Sequence, residues 1–224
     1  MSWTLSSLTG QSQDHLCTLA DGLMLHNEVQ SDFLAMQSAA EKAGFELTIA
    51  SSFRDFTRQQ MIWDNKFNGL RPILDGDGNP LDVSQFSEDD KVRAILRWSA
   101  LPGASRHHWG TDIDIYAKNL LPESISTQLE PWEYLTGHQK PFFDWLLINM
   151  KTHGFYLPYR EDRGGVAFEP WHISHIPTTQ GALDILTPDA LRTAIASSDI
   201  AGRETVLNQL DWIYFQYVSN VCEV

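Results

Sequence analysis

His107 and Asp114 lie in the run Ser105-Arg106-His107-His108-Trp109-Gly110-Thr111-Asp112-Ile113-Asp114, and His172 closes the distant run Glu169-Pro170-Trp171-His172. Any fold that uses these residues together must lay the two runs side by side. Together they offer three ligands for Zn²⁺, and three protein ligands leave one coordination position for a water or a substrate oxygen. Glu169 then supplies a carboxylate near that position, able to take a proton from the water and pass it on.

Local patterns say how the runs are presented. Residues 111 to 116 alternate, with Ile113 and Ile115 on one face and Asp112, Asp114 and Tyr116 on the other. Burying the isoleucines turns both aspartates towards one cavity, two strand residues or roughly 7 Å apart. Residues 171 to 176 suit a second strand in which His172 and Ser174 share a face. Pro170 drives Glu169 into an extended conformation, so Glu169 belongs to the loop entering that strand. His107 and His108 point to opposite sides of an extended segment, and spacing alone leaves open which of them faces Asp114.

Val29, Phe33, Met36, Ala40 and Ala43 recur at helical spacing before Gly44, and Phe45, Leu47 and Ile49 alternate as a strand that delivers Ser51 to Arg54. Helices are expected over 57–67, 88–98 and 142–153. Asp75 to Asn79 opens like a calcium loop, but Pro80 and Phe86 stand where glycine and a bidentate glutamate are needed, so a solvated turn is expected. Pro188 opens another helix, and Val206, Leu210, Ile213, Tyr217 and Val221 mark a longer amphipathic one whose stripe is read as core packing.

With 224 residues, 42% of them hydrophobic, the chain can bury a substantial core. A net charge of −13 removes the electrostatic footprint of a nucleic-acid binder. No apolar run reaches the roughly 20 residues that span a bilayer, and Met1 to Asp21 lacks the positive region of a secretory signal, so the expectation is a cytoplasmic protein without membrane insertion. Cys17 and Cys222 form no ligand spacing and are read as free thiols.

Ser105-x-His107-x-x-Gly110-x-x-x-Asp114, followed by Glu169-x-Trp171-His172 and preceded by Ser51-x-Phe53-Arg54 with Gln59, resembles the zinc D-alanyl-D-alanine carboxypeptidases of VanY type and the related L,D-carboxypeptidases and phage endolysin peptidases. The resemblance covers roughly residues 27 to 180. It implies an α+β fold, a small mostly antiparallel sheet flanked by helices in a DD-peptidase/hedgehog-like zinc domain, taken as residues 1–183; from the helical pattern at the end of the chain, residues 184–224 are read as a helical extension packed on it. It implies one zinc on His107, Asp114 and His172, with Glu169 as the catalytic base. Arg54, Gln59 and Ser105 would bind the carboxylate and backbone of a peptidoglycan-derived peptide. The sequence departs from the family at Asp112, where alanine is usual; on the strand argument Asp112 can orient a ligand histidine or alter which peptides fit.

Rival readings remain at this point. Cleavage within the stem peptide is one. Two histidines and a carboxylate also describe non-haem iron oxygenases, which the nearby Glu169 argues against. A peptide-binding module that keeps zinc without turnover is a third. Oligomeric state is open.

Overall fold

The computed structural model describes residues 3–76 and 78–224. A two-stranded antiparallel ribbon, β1 (Leu16–Thr18) and β2 (Met24–His26), precedes a four-stranded antiparallel sheet of β3 (Leu47–Ser51), β4 (Asp112–Ala117), β5 (Phe155–Tyr156) and β6 (His172–His175). The sheet order is β3-β4-β6-β5, so the two segments that carry the candidate ligands are direct neighbours. Alternation explains the choice of face. Ile113, Ile115 and Ile173 are fully buried against Val29, Phe33, Phe142 and Leu146, and the register then sets Asp112 opposite Ser174 and Asp114 opposite His172.

The apolar layer beneath the sheet is supplied by helices α1 (Gln30–Lys42) and α4 (Lys140–Asn149), whose buried faces carry Phe33, Met36, Phe142 and Leu146. Between them in sequence lie α2 (Phe56–Phe67), capped by Asp55 accepting from the Arg58 amide, and α3 (Glu88–Leu96), opened by a Ser87–Asp90 capping box. These two pack into a second apolar cluster with Leu8, Trp109 and helices α5 (Pro188–Ala196), α6 (Arg203–Asn208) and α7 (Leu210–Ile213).

Some boundaries differ from the periodicity. The strand expected from Phe45 begins at Leu47, because the chain leaving α1 first turns at Gly44 and only then pairs with Ala117. The single long helix expected over 206–221 is broken at Gln209 and ends in a π-helical turn, Tyr214–Val218. That turn winds an extra residue into the spiral, and the buried stripe after Ile213 passes to Tyr214 and Val218 instead of Tyr217 and Val221. Around Asp75 the chain makes a tight turn closed by a Leu74–Pro80 bridge and by Asn79 donating to Asp75; Asp77 of the calcium-like run lies outside the described residues. Both cysteines are free thiols, and no helix among the described residues is long and apolar enough to cross a membrane.

Candidate metal centre

The run 106–109 is a turn of 3₁₀-helix and not the extended segment expected. Gly110 ends it in the left-handed region, at φ 67°, where a Cβ would meet Leu16 and the backbone of His26 at 2.5 and 2.8 Å. The chain therefore crosses the β1–β2 ribbon closely at a glycine and enters β4 directly.

The turn resolves the choice between adjacent histidines. His108 accepts from the Gly103 amide at Nε2 (3.0 Å), so its Nδ1 carries the proton and donates to the Arg54 carbonyl at 2.6 Å. Burial pushes this imidazole down to about 3, and neither nitrogen is left to bind a metal. His107 instead donates from Nδ1 to the Ser52 carbonyl (3.0 Å), which leaves the Nε2 lone pair facing Asp114 Oδ2 at 3.3 Å. Burial, followed by the nearby Arg54 charge, lowers its pKa and keeps it neutral.

His172 completes the group. Its Nε2 hydrogen-bonds Asp112 Oδ1 at 3.0 Å, while Nδ1 lies 3.1 Å from Asp114 Oδ1 and 3.4 Å from Glu169 Oε2. Ligand atoms of His107, Asp114 and His172 all fall within 4.8 Å of one another. Tetrahedral ligands at the usual zinc distances of about 2.0–2.1 Å stand roughly 3.3 Å apart, close to the 3.3 Å from His107 to Asp114 and the 3.1 Å from His172 to Asp114. A neutral imidazole lone pair aimed at a carboxylate is repulsive without a cation between them, and Asp114 Oδ1 is buried with no hydrogen-bond donor. The donor set thus fits a zinc ion, with the far nitrogen of each histidine fixed by Ser52 or Asp112.

Asp112 is the centre of a buried network. Besides His172 it accepts from Arg106 Nε (2.7 Å), Thr111 Oγ1 (2.8 Å) and Ser174 Oγ (3.1 Å). Burial alone would raise its pKa, but Arg106 and His172 hold it well below the carboxylate range. Burial would likewise lower His172, yet the carboxylates of Asp112, Asp114 and Glu169 packed against its ring hold it well above the ordinary histidine value. Occupation of the site requires the Nδ1 proton to leave. At Glu169 the balance goes the other way: burial raises the carboxyl, with His172 only partly opposing.

A cavity of about 50 Å³ opens beside this group, lined by Arg54, Ser105, Tyr159, Val166 and Glu169 among others. Larger hollows lie on the surface, such as one of about 650 Å³ between α1 and β3, but among the described residues they hold no comparable group of ligands. Arg54 is held at its backbone by His107 and His108, and its Nε is buried without a partner. It does not pair with Asp55, which caps α2, or with Asp64, which accepts from the Ala201 amide. Gln59 does not line the cavity; it is buried behind the wall and donates to the Ala100 carbonyl at 2.7 Å. Ser105 does line it.

Arg106 and Tyr159 are additions that sequence reasoning missed. Arg106 is buried between Asp112, Ser174 and the Trp109 ring, 4.5 Å from its centroid, and it neutralises the second aspartate. A second carboxylate on a buried strand face demands such a partner, and that demand was the available signal. Tyr159, whose ring meets His172 edge-on at 4.9 Å, stands in a loop with no periodicity to mark it.

Residues 22–178 match the sequence model of VanY, D-alanyl-D-alanine carboxypeptidase. An uncharacterized protein of Haemophilus influenzae is 46% identical over 105 residues, covering 45% of this chain and 72% of that one. Solved structures share the fold, among them two of VanY proteins. VanYB in complex with D-alanine-D-alanine superposes with a TM-score of 0.55 at 22% identity, over 84% of this chain and 92% of that one. The vancomycin resistance D,D-pentapeptidase VanY, as a mutant in complex with Zn(II), gives 0.53 at 23% identity, over 76% and 86%.

Proposed function

The chain belongs to the VanY D-alanyl-D-alanine carboxypeptidase family, and from that premise we propose that it is a zinc-dependent carboxypeptidase releasing a terminal D-amino acid, D-alanine above all, from peptidoglycan-derived peptides. The observation that carries this reading is the convergence at one small cavity of the His107–Asp114–His172 group, the carboxylate of Glu169 and Arg54, whose buried Nε has no partner. Zinc, when bound, supplies Lewis acidity and lowers the pKa of a water towards neutrality.

The protein's own groups do the rest. Asp112, kept ionised by Arg106, and the Ser52 carbonyl fix the two imidazoles. Glu169, whose proton affinity is raised by burial, takes the proton of the attacking water and returns it to the leaving amine. Arg54 holds the free carboxylate of the terminal residue, since it lines the cavity and its buried Nε–H has no partner there. Its pKa is lowered by burial, with Asp114 and Glu169 opposing, and the charge survives because an arginine starts so high. Ser105 is placed to meet the peptide backbone in the same cavity. The adjacency of Glu169 to His172 favours hydrolysis over iron-dependent oxidation, and metal analysis of the purified protein distinguishes them.

Incubation with muropeptides ending in D-Ala-D-Ala, followed by mass spectrometry, should show loss of one D-alanine. Arg54→Ala and amidation of the substrate's terminus should each cut kcat/KM by tens to thousands of fold, because a charge-assisted hydrogen bond is worth roughly 1.5–3 kcal/mol and a bidentate pair more. Equal cleavage of free and amidated peptides would show an endopeptidase instead.

A further inference from the structure

Residues 159–169 close over the cavity as a loop whose ends are joined by the Glu169 amide donating to the Tyr159 carbonyl at 3.0 Å. Tyr159, Val166 and Glu169 of this loop line one wall, and Trp98, Ser99 and Ala100, which follow α3, line the other. Arg97 ties the walls together: it pairs with Asp162, donates to the Gly165 carbonyl at 2.8 Å, and accepts at its own carbonyl from the Ala167 amide at 3.0 Å.

The outer side of the loop is gripped by a segment beyond the matched family region. Gln216 donates to the Gly164 carbonyl (2.7 Å), Asn220 exchanges hydrogen bonds with the Arg163 side chain (2.9 Å) and carbonyl (3.1 Å), and the Cys222 amide donates to the Pro158 carbonyl (2.8 Å). Contact is backbone on backbone at Gly165, where a Cβ would fall 2.2 Å from the Gln216 carbonyl oxygen. Only glycine permits that approach. The π-helical turn supplies it by presenting Gln216 and Asn220 to the loop on one side while Tyr214 and Val218 stay buried.

We propose that residues 214–222 are a specificity element: by fixing the height of the 159–169 roof they confine the site to a terminal residue with a small side chain. The proposal rests on the peptidase reading. At about 50 Å³ the cavity is a small space left between floor and roof, so the height of the roof decides how large a terminal side chain fits.

The test compares zinc-loaded wild type with the double variant Gln216→Ala/Asn220→Ala and with Gly165→Ala, which forces the loop off the Gln216 carbonyl. Substrates are two tripeptides that differ only in ending with D-alanine or D-leucine. Both variants should keep their zinc and raise the D-leucine to D-alanine ratio of kcat/KM about tenfold or more, the size of effect expected when space for a few methylenes is opened. An unchanged ratio in folded, active variants overturns the proposal. Should the double variant not fold, Asn220→Ser decides by the same ratio. Calorimetric affinities for the two peptides give the ratio without turnover. A wild type that binds both and cleaves neither therefore sinks the peptidase reading, while the roof is still judged by its affinity ratio.

Discussion

The floor and the roof of the candidate site are built by different means. The floor is a backbone ladder: β4 and β6 pair over Asp112–Ser174, Ile113–Ile173 and Asp114–His172, with the isoleucines of the same strands buried beneath. The roof hangs on scattered contacts, a few isolated backbone hydrogen bonds and several side chains, among them the half-exposed Arg97–Asp162 pair, whose kind contributes about 1 kcal/mol or less. Asp114 and His172, held by strands, cannot move without unpairing the sheet, whereas a loop held by a few hydrogen bonds can be altered without touching the ligands. Metal retention should therefore follow the floor, and turnover and selectivity the roof.

The hardest test of that division is removal of a ligand. His107→Ala, Asp114→Ala and His172→Ala should each abolish zinc binding and turnover, while His108→Ala should keep its zinc, as measured by plasma mass spectrometry. Zinc lost from His108→Ala and retained in His107→Ala would break the assignment.

Next comes Glu169, which stands where roof meets floor. Glu169→Gln keeps the size of the side chain but cannot accept a proton at neutral pH, so turnover should fall about 10²–10⁴-fold with zinc content and Tm near wild type. Loss of the metal in this variant would make Glu169 a ligand.

Asp112→Asn sharpens the comparison within the floor. It leaves Arg106 buried without its counter-charge and weakens the acceptor that orients His172. Zinc affinity should drop roughly 10–100-fold, and stability by about 3–5 kcal/mol, both read from chelator competition and urea midpoints.

The smallest effect is a pH dependence seated away from the roof. Burial holds His26 down at about 4 and His108 at about 3. Above the unfolded value near 6.5 both forms are neutral and contribute nothing. Below it the unfolded chain binds protons that the folded chain refuses, so stability falls as pH drops from about 6.5 towards 3 to 4. By pH 5 the loss is roughly 1–2 kcal/mol per histidine. Urea midpoints that stay level between pH 7 and 5 would count against buried neutral imidazoles.

The same division governed what was legible in the sequence. Period-two alternation announced β4 and β6 and put Asp112 beside Asp114 on one face, because strand geometry converts spacing directly into direction. Gly44 and Pro188 marked helix boundaries through their own backbone chemistry. Tyr159 and the Gly164–Gly165 contact were silent, since their positions depend on Gln216 and Asn220 from a distant segment. The 3₁₀ turn at 106–109 was hidden for a related reason. It is selected by the crossing at Gly110 and by two carbonyls, Ser52 and Arg54, that accept from its histidines. The split of the 206–221 helix likewise answers to the loop it grips and leaves no mark in the hydrophobic period.

One further consequence follows from the pairing of Asp114 with His172. A slip of β6 by a single residue would send His172 to the buried isoleucine face and bring Ile173 towards His107, so the ligand group exists in one register only. The two strands meet across a long intervening stretch of chain, a contact of the slow, non-local sort in folding. In a refolding experiment, the moment at which the chain begins to compete with a zinc-sensitive dye for metal should therefore time the closure of β4 on β6, after the helices have formed.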